Sequence, residues 1–150
     1  MKRIVTAFFL FSFLAFCLSG CMIDSNIPNG YTGKEEHFDK DGFQDYTDYC
    51  KYFYKNAAAF ENNPNYHKVT EPDIAVIKGY FDDFKQCMVD CDRADEYDFD
   101  TKCLTSGDFV FIKTKEGVSD GNIVYEKYDN YNVYLFDTDS SVLYYIHNNK

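Results

Sequence analysis

Apolar residues recur at intervals of three and four in two stretches of the chain, which is the spacing of an amphipathic helix. The first stretch begins near Asp41 and ends at Asn62-Asn63-Pro64, and its apolar positions are Phe43, Tyr46, Cys50, Phe53, Ala57 and Phe60. The second follows Thr70-Glu71-Pro72-Asp73, a typical helix start, and its apolar positions are Ile74, Ile77, Phe81, Phe84, Met88 and Cys91. Together they predict an antiparallel two-helix hairpin.

The C-terminal third has a different pattern: short runs rich in Val, Ile, Tyr and Phe, separated by Gly, Asp, Asn and Ser. These runs predict an antiparallel meander of about four strands, at residues 105–114, 122–127, 131–137 and 142–147. The predicted fold class is therefore α+β, with the helix hairpin first and the meander second, in a single domain from residue 39 to residue 150. Residues 21–38 lack apolar periodicity and contain Pro and Gly, which predicts a flexible tether.

Strand alternation assigns the large side chains of the meander to two faces. One face takes Val110, Ile112, Val133 and Leu135, and the other takes Phe109, Phe111, Tyr134 and Phe136. A two-helix hairpin covers only one face of a sheet, so the aromatic set is a candidate interaction face for a protein partner or a second copy of the chain. In the alternative, the sheet curls or the helices and the tether cover this face.

The charge balance is strongly acidic: 25 Asp and Glu against 15 Lys and Arg give a formal net charge of −10. Such a surface repels phosphate backbones, so we expect no nucleic acid as a partner. The chain has 14 Tyr and 15 Phe but no Trp, which indicates a core built on aromatic rings.

The N-terminus carries a separate signal. Lys2 and Arg3 precede an uncharged apolar run from Ile4 to Leu18. As a helix this run is about 22 Å long, too short for a hydrocarbon core of about 30 Å, and a short apolar run behind basic residues is typical of a secretion signal. The run ends in Leu18-Ser19-Gly20-Cys21.

This tetrapeptide resembles the lipobox of bacterial lipoproteins. The resemblance implies that residues 1–20 are a signal peptide that is removed, and that the thiol of Cys21 receives a diacylglycerol and its new amino group a fatty acid such as palmitate. The acyl chains on Cys21 would then anchor the protein in the lipid bilayer of the cell membrane, on its extracytoplasmic side in the cell envelope. Loss of Lys2 and Arg3 changes the formal charge from −10 to −12. In the alternative, the segment is an ordinary cleaved signal or a short membrane anchor, and Cys21 is incidental.

Four cysteines remain after the signal is removed, namely Cys50, Cys87, Cys91 and Cys103. An even number in an exported chain predicts two disulfides. The helix hairpin favours Cys50–Cys87 and Cys91–Cys103, although Cys50 and Cys91 both lie on apolar stripes and their pairing stays open. The alternatives are free thiols and a four-thiolate zinc site, for which the paired CxxC spacing is missing.

The remaining motifs give little chemistry. Residues 39–48 match part of an EF-hand loop, but His37 stands where the first carboxylate belongs and Asp48 where a bidentate Glu belongs. Residues 137–141 begin similarly and lack the glycine, which favours a turn. His37, His67 and His147 have no metal-ligand spacing, and no GxSxG or HExxH motif is present. We expect no metal, no cofactor and no enzymatic activity.

The sequence therefore predicts a membrane-anchored extracytoplasmic lipoprotein that acts as a binding or interaction module with an unidentified partner. Two alternatives are a structural or assembly lipoprotein of the cell envelope and a small envelope enzyme.

Overall fold

The computed structural model describes residues 24–39, 46–114 and 130–149. Within these ranges the chain forms one antiparallel six-stranded sheet, crossed on one face by a long helix. The strands are β1 (Gly33–His37), β2 (Tyr46–Phe53), β3 (His67–Lys68), β4 (Phe109–Thr114), β5 (Asn130–Asp137) and β6 (Val142–Asn149), in the spatial order β1-β2-β6-β5-β4-β3. The helices are α1 (Ala58–Glu61) and α2 (Glu71–Asp90), with 3₁₀ turns at Ala94–Glu96 and Thr101–Cys103.

The predicted fold class is wrong, because the middle of the first predicted helix is strand β2. Among the described residues of that stretch, only one turn, α1, is helical. β2 is covered on both faces: Tyr49 packs toward α2, and Cys50 and Tyr52 pack on the opposite side of the sheet. A strand buried on two sides carries large side chains on both, so their spacing imitates a helical stripe. The aromatic content of β2 is typical of a strand.

The second predicted helix is present as α2, and its buried side chains are Ile77, Tyr80, Phe81, Phe84, Cys87 and Met88. The backbone N–H of Thr70 donates to the Asp73 carboxylate at 2.8 Å, and the Thr70 hydroxyl donates to the same oxygen at 2.6 Å. These bonds fix the first turn of the helix.

Three predicted strands are present as β4, β5 and β6, and the predicted strand at 122–127 lies outside the described residues. β4 and β5 pair so that Val110 faces Leu135 and Ile112 faces Val133. The strands do not form a separate meander, because β6 pairs along its whole length with β2. The sheet therefore combines both halves of the chain.

The two faces of the sheet bury separate cores. The front face packs under α2 and contains Val110, Ile112, Val133, Leu135 and Ile146. The back face contains Phe111, Tyr134, Phe136, Leu143 and Tyr145. It is covered by residues 24–31 and 54–66, which we call the back layer.

The back layer includes residues that the sequence assigns to the flexible tether. Ile27 is buried, the Tyr54 hydroxyl donates to the carbonyl of Pro28 at 2.5 Å, and the Tyr66 hydroxyl donates to that of Asn26 at 3.0 Å. Residues 24–31 therefore belong to the folded unit, and the prediction of a flexible tether is wrong for them. This segment is held by one buried isoleucine and by hydrogen bonds to its carbonyl groups. Such contacts produce no periodic apolar pattern in the sequence.

Candidate functional site

The four residues of the predicted interaction face share the back face of the sheet, but they are not exposed. Phe136 is completely buried, Phe111 and Tyr134 are nearly so, and Phe109 is half-buried. Phe60 of α1 stacks on Phe136 with ring centroids 3.9 Å apart. The back layer thus covers this face, which agrees with the alternative that the tether and a helix cover it. The four aromatic residues therefore belong to the core.

The predicted disulfides are not formed, and the structure carries all four cysteines as thiols. Cys50 lies in the core behind the sheet, whereas Cys87 lies on α2 in front of it. The sheet therefore separates Cys50 from both Cys87 and Cys91. This arrangement could not be foreseen from the sequence, because the prediction placed Cys50 on a helix beside α2.

Cys91 and Cys103 lie toward opposite ends of the sheet. Cys91 is at the end of α2 near Asn148, while the thiol of Cys103 lies near the carboxylates of Asp108 and Asp137, beside the β5–β6 turn. The distance along β6 from Asn148 to the turn at Val142 is about 20 Å, at about 3.4 Å per residue. Burial raises the pKa of Cys103 to about 11, and burial raises that of Cys50 to about 12.

A cavity lies between the last turn of α2 and the ends of β2 and β6. Its volume is about 160 Å³. The side chains that define its chemistry are those of Asp39, Thr47, Cys87, Asp90, Cys91 and Asn148. This volume is similar to that of a cavity of about 150 Å³ known to hold a benzene ring.

Two regular elements position these side chains. Cys87, Asp90 and Cys91 lie on one side of α2, because residues three and four apart are neighbours on a helix. Thr47 and Asn148 are register partners in β2 and β6, so both point to the front face. The amide of Asn148 is buried and donates to the sulfur of Cys87 over 3.6 Å.

The end of α2 is closed by a Schellman motif. The N–H of Arg93 donates to the carbonyl of Met88 at 2.8 Å, and the N–H of Asp92 donates to that of Val89 at 3.0 Å. Asp92 has φ of 58°, in the left-handed region where glycine is usual. The chain therefore turns sharply at Asp92 and directs Arg93 back toward the sheet.

Arg93 joins this turn to the strands. Its guanidinium donates to the carbonyl of Thr47 at 2.8 Å, to that of His37 at 3.2 Å, and to the Glu96 carboxylate at 2.6 Å. Burial opposes the charge of Arg93, but the hydrogen bond and the negative charge of Glu96 hold its pKa above the ordinary value. The Asp39 carboxylate is 4.0 Å from Arg93.

The cavity lies in a negative environment. Asp39 and Asp90 contribute carboxylates, and the carbonyl end of a helix carries about half a negative charge. The last turn of α2, which is described in full, contains no basic residue. Arg93 is paired with Glu96 and also lies 4.0 Å from Asp39, so two acidic residues share this one positive charge. With Asp90 the local charge stays negative, and the cavity therefore favours a compact cation over an anion.

The EF-hand-like stretch is described only at its ends. The N–H of Asp39 donates to the Asp48 carboxylate at 3.1 Å, and residues 40–45 lie outside the described part. In the ranges that the structure describes, no group of three or more His, Cys, Asp or Glu is arranged to hold a metal ion. No helix in those ranges has the length and apolar character needed to cross a membrane.

The histidines are dispersed. His37 lies 3.9 Å from Glu96, His67 is in β3, and His147 faces the back of the sheet with its Nδ1 2.9 Å from Asn132 Oδ1. Burial lowers the pKa of His147, whereas burial raises the pKa of its register partner Asp48.

Sequence reasoning missed Arg93, Asn148 and Asp108. Asp108 is completely buried, and it accepts hydrogen bonds from the backbone and hydroxyl groups of Thr105 and Thr138 at 2.8 to 3.3 Å. Thr105 and Asp108 are three residues apart, which is a capping spacing that the sequence does show. The contacts of Arg93 and Asn148 depend on strand register and leave no local signal.

No protein-family model, no curated protein and no solved structure matches this chain.

Proposed function

We propose that the chain is a membrane-anchored extracytoplasmic lipoprotein that binds a small cationic ligand in the cavity at the end of α2. Anchoring is supported by Lys2 and Arg3, the apolar run that follows them and the tetrapeptide that ends at Cys21. Two or more acyl chains hold a protein stably on a bilayer, because each buried methylene contributes about 0.8 kcal/mol.

The observation that carries the binding proposal is the negative cavity between α2 and the ends of β2 and β6. Asp39 and Asp90 bring two carboxylates to the lining of the cavity, next to Asn148. Asp39 lies 4.0 Å from Arg93, and Asp90 Oδ1 accepts a hydrogen bond from Gln86 at 2.8 Å. A carboxylate accepts several hydrogen bonds, so Asp90 is the residue expected to bind an ammonium group. The thiols of Cys87 and Cys91 offer less polar surface for a short hydrocarbon chain. A primary amine with a few carbon atoms matches this combination of charge and size.

Anchoring is tested in cells that process lipoproteins. The wild-type chain is expected to incorporate a labelled fatty acid, to lose residues 1–20 and to fractionate with membranes, whereas Cys21→Ala should not be labelled and should keep residues 1–20. Intact-mass measurement of the wild-type protein without acyl chains would refute the anchoring proposal.

Ligand binding is tested with butylamine and 1,4-diaminobutane as probes and with butyrate as the anionic comparison. The amines should raise the melting temperature, because a ligand that binds only the folded state stabilises it. Asp90→Asn should weaken amine binding by up to about fivefold, as expected for loss of one exposed charged contact of up to about 1 kcal/mol.

Asp82→Asn is the matched control. Asp82 is an exposed residue of the same helix, it pairs with Lys78 at 3.1 Å, and its substitution changes the net charge by the same amount. Equal weakening by both substitutions would indicate a general charge effect. Tighter binding of butyrate than of butylamine would contradict the proposed ligand class.

A further inference from the structure

A residue of the folded unit, Asp24, lies very close in sequence to the proposed lipid attachment. Asp24 is the third residue after Cys21, and consecutive Cα atoms are 3.8 Å apart, so the two Cα atoms can be separated by at most about 11 Å. This limit depends only on chain length. A lipid-anchored domain with such a short connection stays at the membrane surface.

Asp24 is firmly attached to the back face of the sheet. Its carboxylate accepts a hydrogen bond from the hydroxyl of Tyr134, which is nearly completely buried, and two further bonds from Asn26 at 2.8 and 3.0 Å. Three residues later Ile27 is buried in the back core. The chain therefore leaves the domain from its back side, so an acyl group at Cys21 would bring this side toward the lipid.

Charge is divided unequally between the two sides of the sheet. The back layer, residues 24–31 and 54–66, contains Asp24, Lys55 and Glu61, a net charge of −1. Residues 71–100, which include α2, contain ten acidic and three basic residues, a net charge of −7. The side nearest to Cys21 is thus almost neutral, and the side of α2 is strongly acidic.

Uncharged polar groups cover the outside of the back layer. Asn29, Asn62 and Asn65 are exposed, and Tyr31 is partly exposed beside Tyr52. Asparagine amides can donate to headgroup phosphates and esters, and tyrosine is enriched at membrane interfaces. An acidic surface at the same place would be repelled by anionic lipids within a Debye length of about 10 Å.

We propose that the back layer rests directly on the headgroups of the phospholipid bilayer, with α2 and the cavity directed away from the membrane. This orientation rests on the proposed acylation of Cys21. The short connection brings the back layer to the lipid, and the distribution of charge makes this the side with the least repulsion.

The orientation is tested with the acylated full-length mature protein in phosphatidylcholine vesicles that contain a headgroup-labelled energy acceptor. A genetically encoded fluorescent amino acid is placed either at Asn65 in the back layer or at Val89, which is 50% exposed on α2. The two positions differ in height by about 20 Å, two layer spacings of about 10 Å, so transfer from position 65 should exceed that from position 89 at least about twofold.

Equal transfer from the two positions would overturn the orientation, and greater transfer from position 89 would reverse it. A spacer of 12 Gly and Ser residues between Ile23 and Asp24, with a mean span of about 19 Å, should abolish the difference. A difference that persists with the spacer would overturn the role of the short connection.

Failure of the proposed anchoring is distinguished before any energy transfer is measured. A protein without acyl chains would not float with the vesicles, and its mass would show the missing lipid. A protein that is acylated and floats, but gives equal transfer from positions 65 and 89, refutes only the orientation.

Discussion

Replacement of Tyr134 by Ser tests whether the back layer covers the sheet. Tyr134 is 1% exposed, and its ring stacks on Phe111 and Tyr145 with centroids 5.4 and 4.8 Å apart. Removing a buried aromatic ring typically reduces the free energy of unfolding by about 3–5 kcal/mol. The lost hydrogen bond to Asp24 adds to this loss.

Tyr134→Phe separates the two contributions, because it keeps the ring and removes only the hydroxyl. A hydrogen bond to a charged group contributes about 1.5–3 kcal/mol, and we expect the lower end because Asp24 keeps its bonds from Asn26. At about 4 °C per kcal/mol, the melting temperature should fall by about 6 °C for Tyr134→Phe and by at least 12 °C for Tyr134→Ser.

The assay is urea and thermal unfolding of the mature chain with Cys21→Ser, followed by circular dichroism and accompanied by measurement of the oligomeric state. Total stabilities are about 5–15 kcal/mol, so the loss in Tyr134→Ser is a large part of the total, and Tyr134→Phe is the variant that stays measurable if Tyr134→Ser does not fold. A melting temperature unchanged in both variants, together with altered self-association, would show that Tyr134 is exposed and would refute the burial argument.

Three further predictions concern single groups. Asp108→Ala should lower the free energy of unfolding by at least about 3 kcal/mol in urea titrations, because four hydrogen-bond donors lose their acceptor. Burial lowers the pKa of His147 in the folded state, so the unfolded state binds protons first and stability should fall as the pH drops below about 6.5. His147→Gln should make the urea midpoint less dependent on pH in this range. Maleimide should label exposed Cys91 first, half-buried Cys103 more slowly and buried Cys50 last, as measured by peptide mapping. A disulfide detected by mass spectrometry would contradict this prediction.

The elements that were predicted well have a regular pattern of large side chains in the sequence. α2 has a single buried stripe, and β4 and β5 alternate between Val, Ile or Leu and aromatic residues. The elements that were missed lack such a pattern. β1 has the sequence Gly-Lys-Glu-Glu-His and is held as an edge strand by pairing with β2, without a regular apolar face of its own.

The candidate site could be predicted only in part. The sequence identifies Cys87 and Cys91 as candidate site residues, but as members of disulfides. That interpretation depended on the first predicted helix, which is wrong. The cavity itself requires Thr47 and Asn148 to be paired across the sheet, although they are about a hundred residues apart in the chain. A pairing over such a distance depends on the tertiary fold and cannot be inferred from local periodicity.

The pairing of β2 with β6 has a consequence for the order of folding. β6 is the last strand of the sheet in the chain, and it lies between β2 and β5, so the two halves of the sheet can join only after Asn149 is available. Contacts between distant segments form slowly, because a long loop must close before any pairing is gained. A chain that emerges gradually from its N-terminus therefore stays incompletely folded until β6 arrives. Deletion of β6 would leave β1–β2 and β3–β4–β5 as two sheets without hydrogen bonds between them.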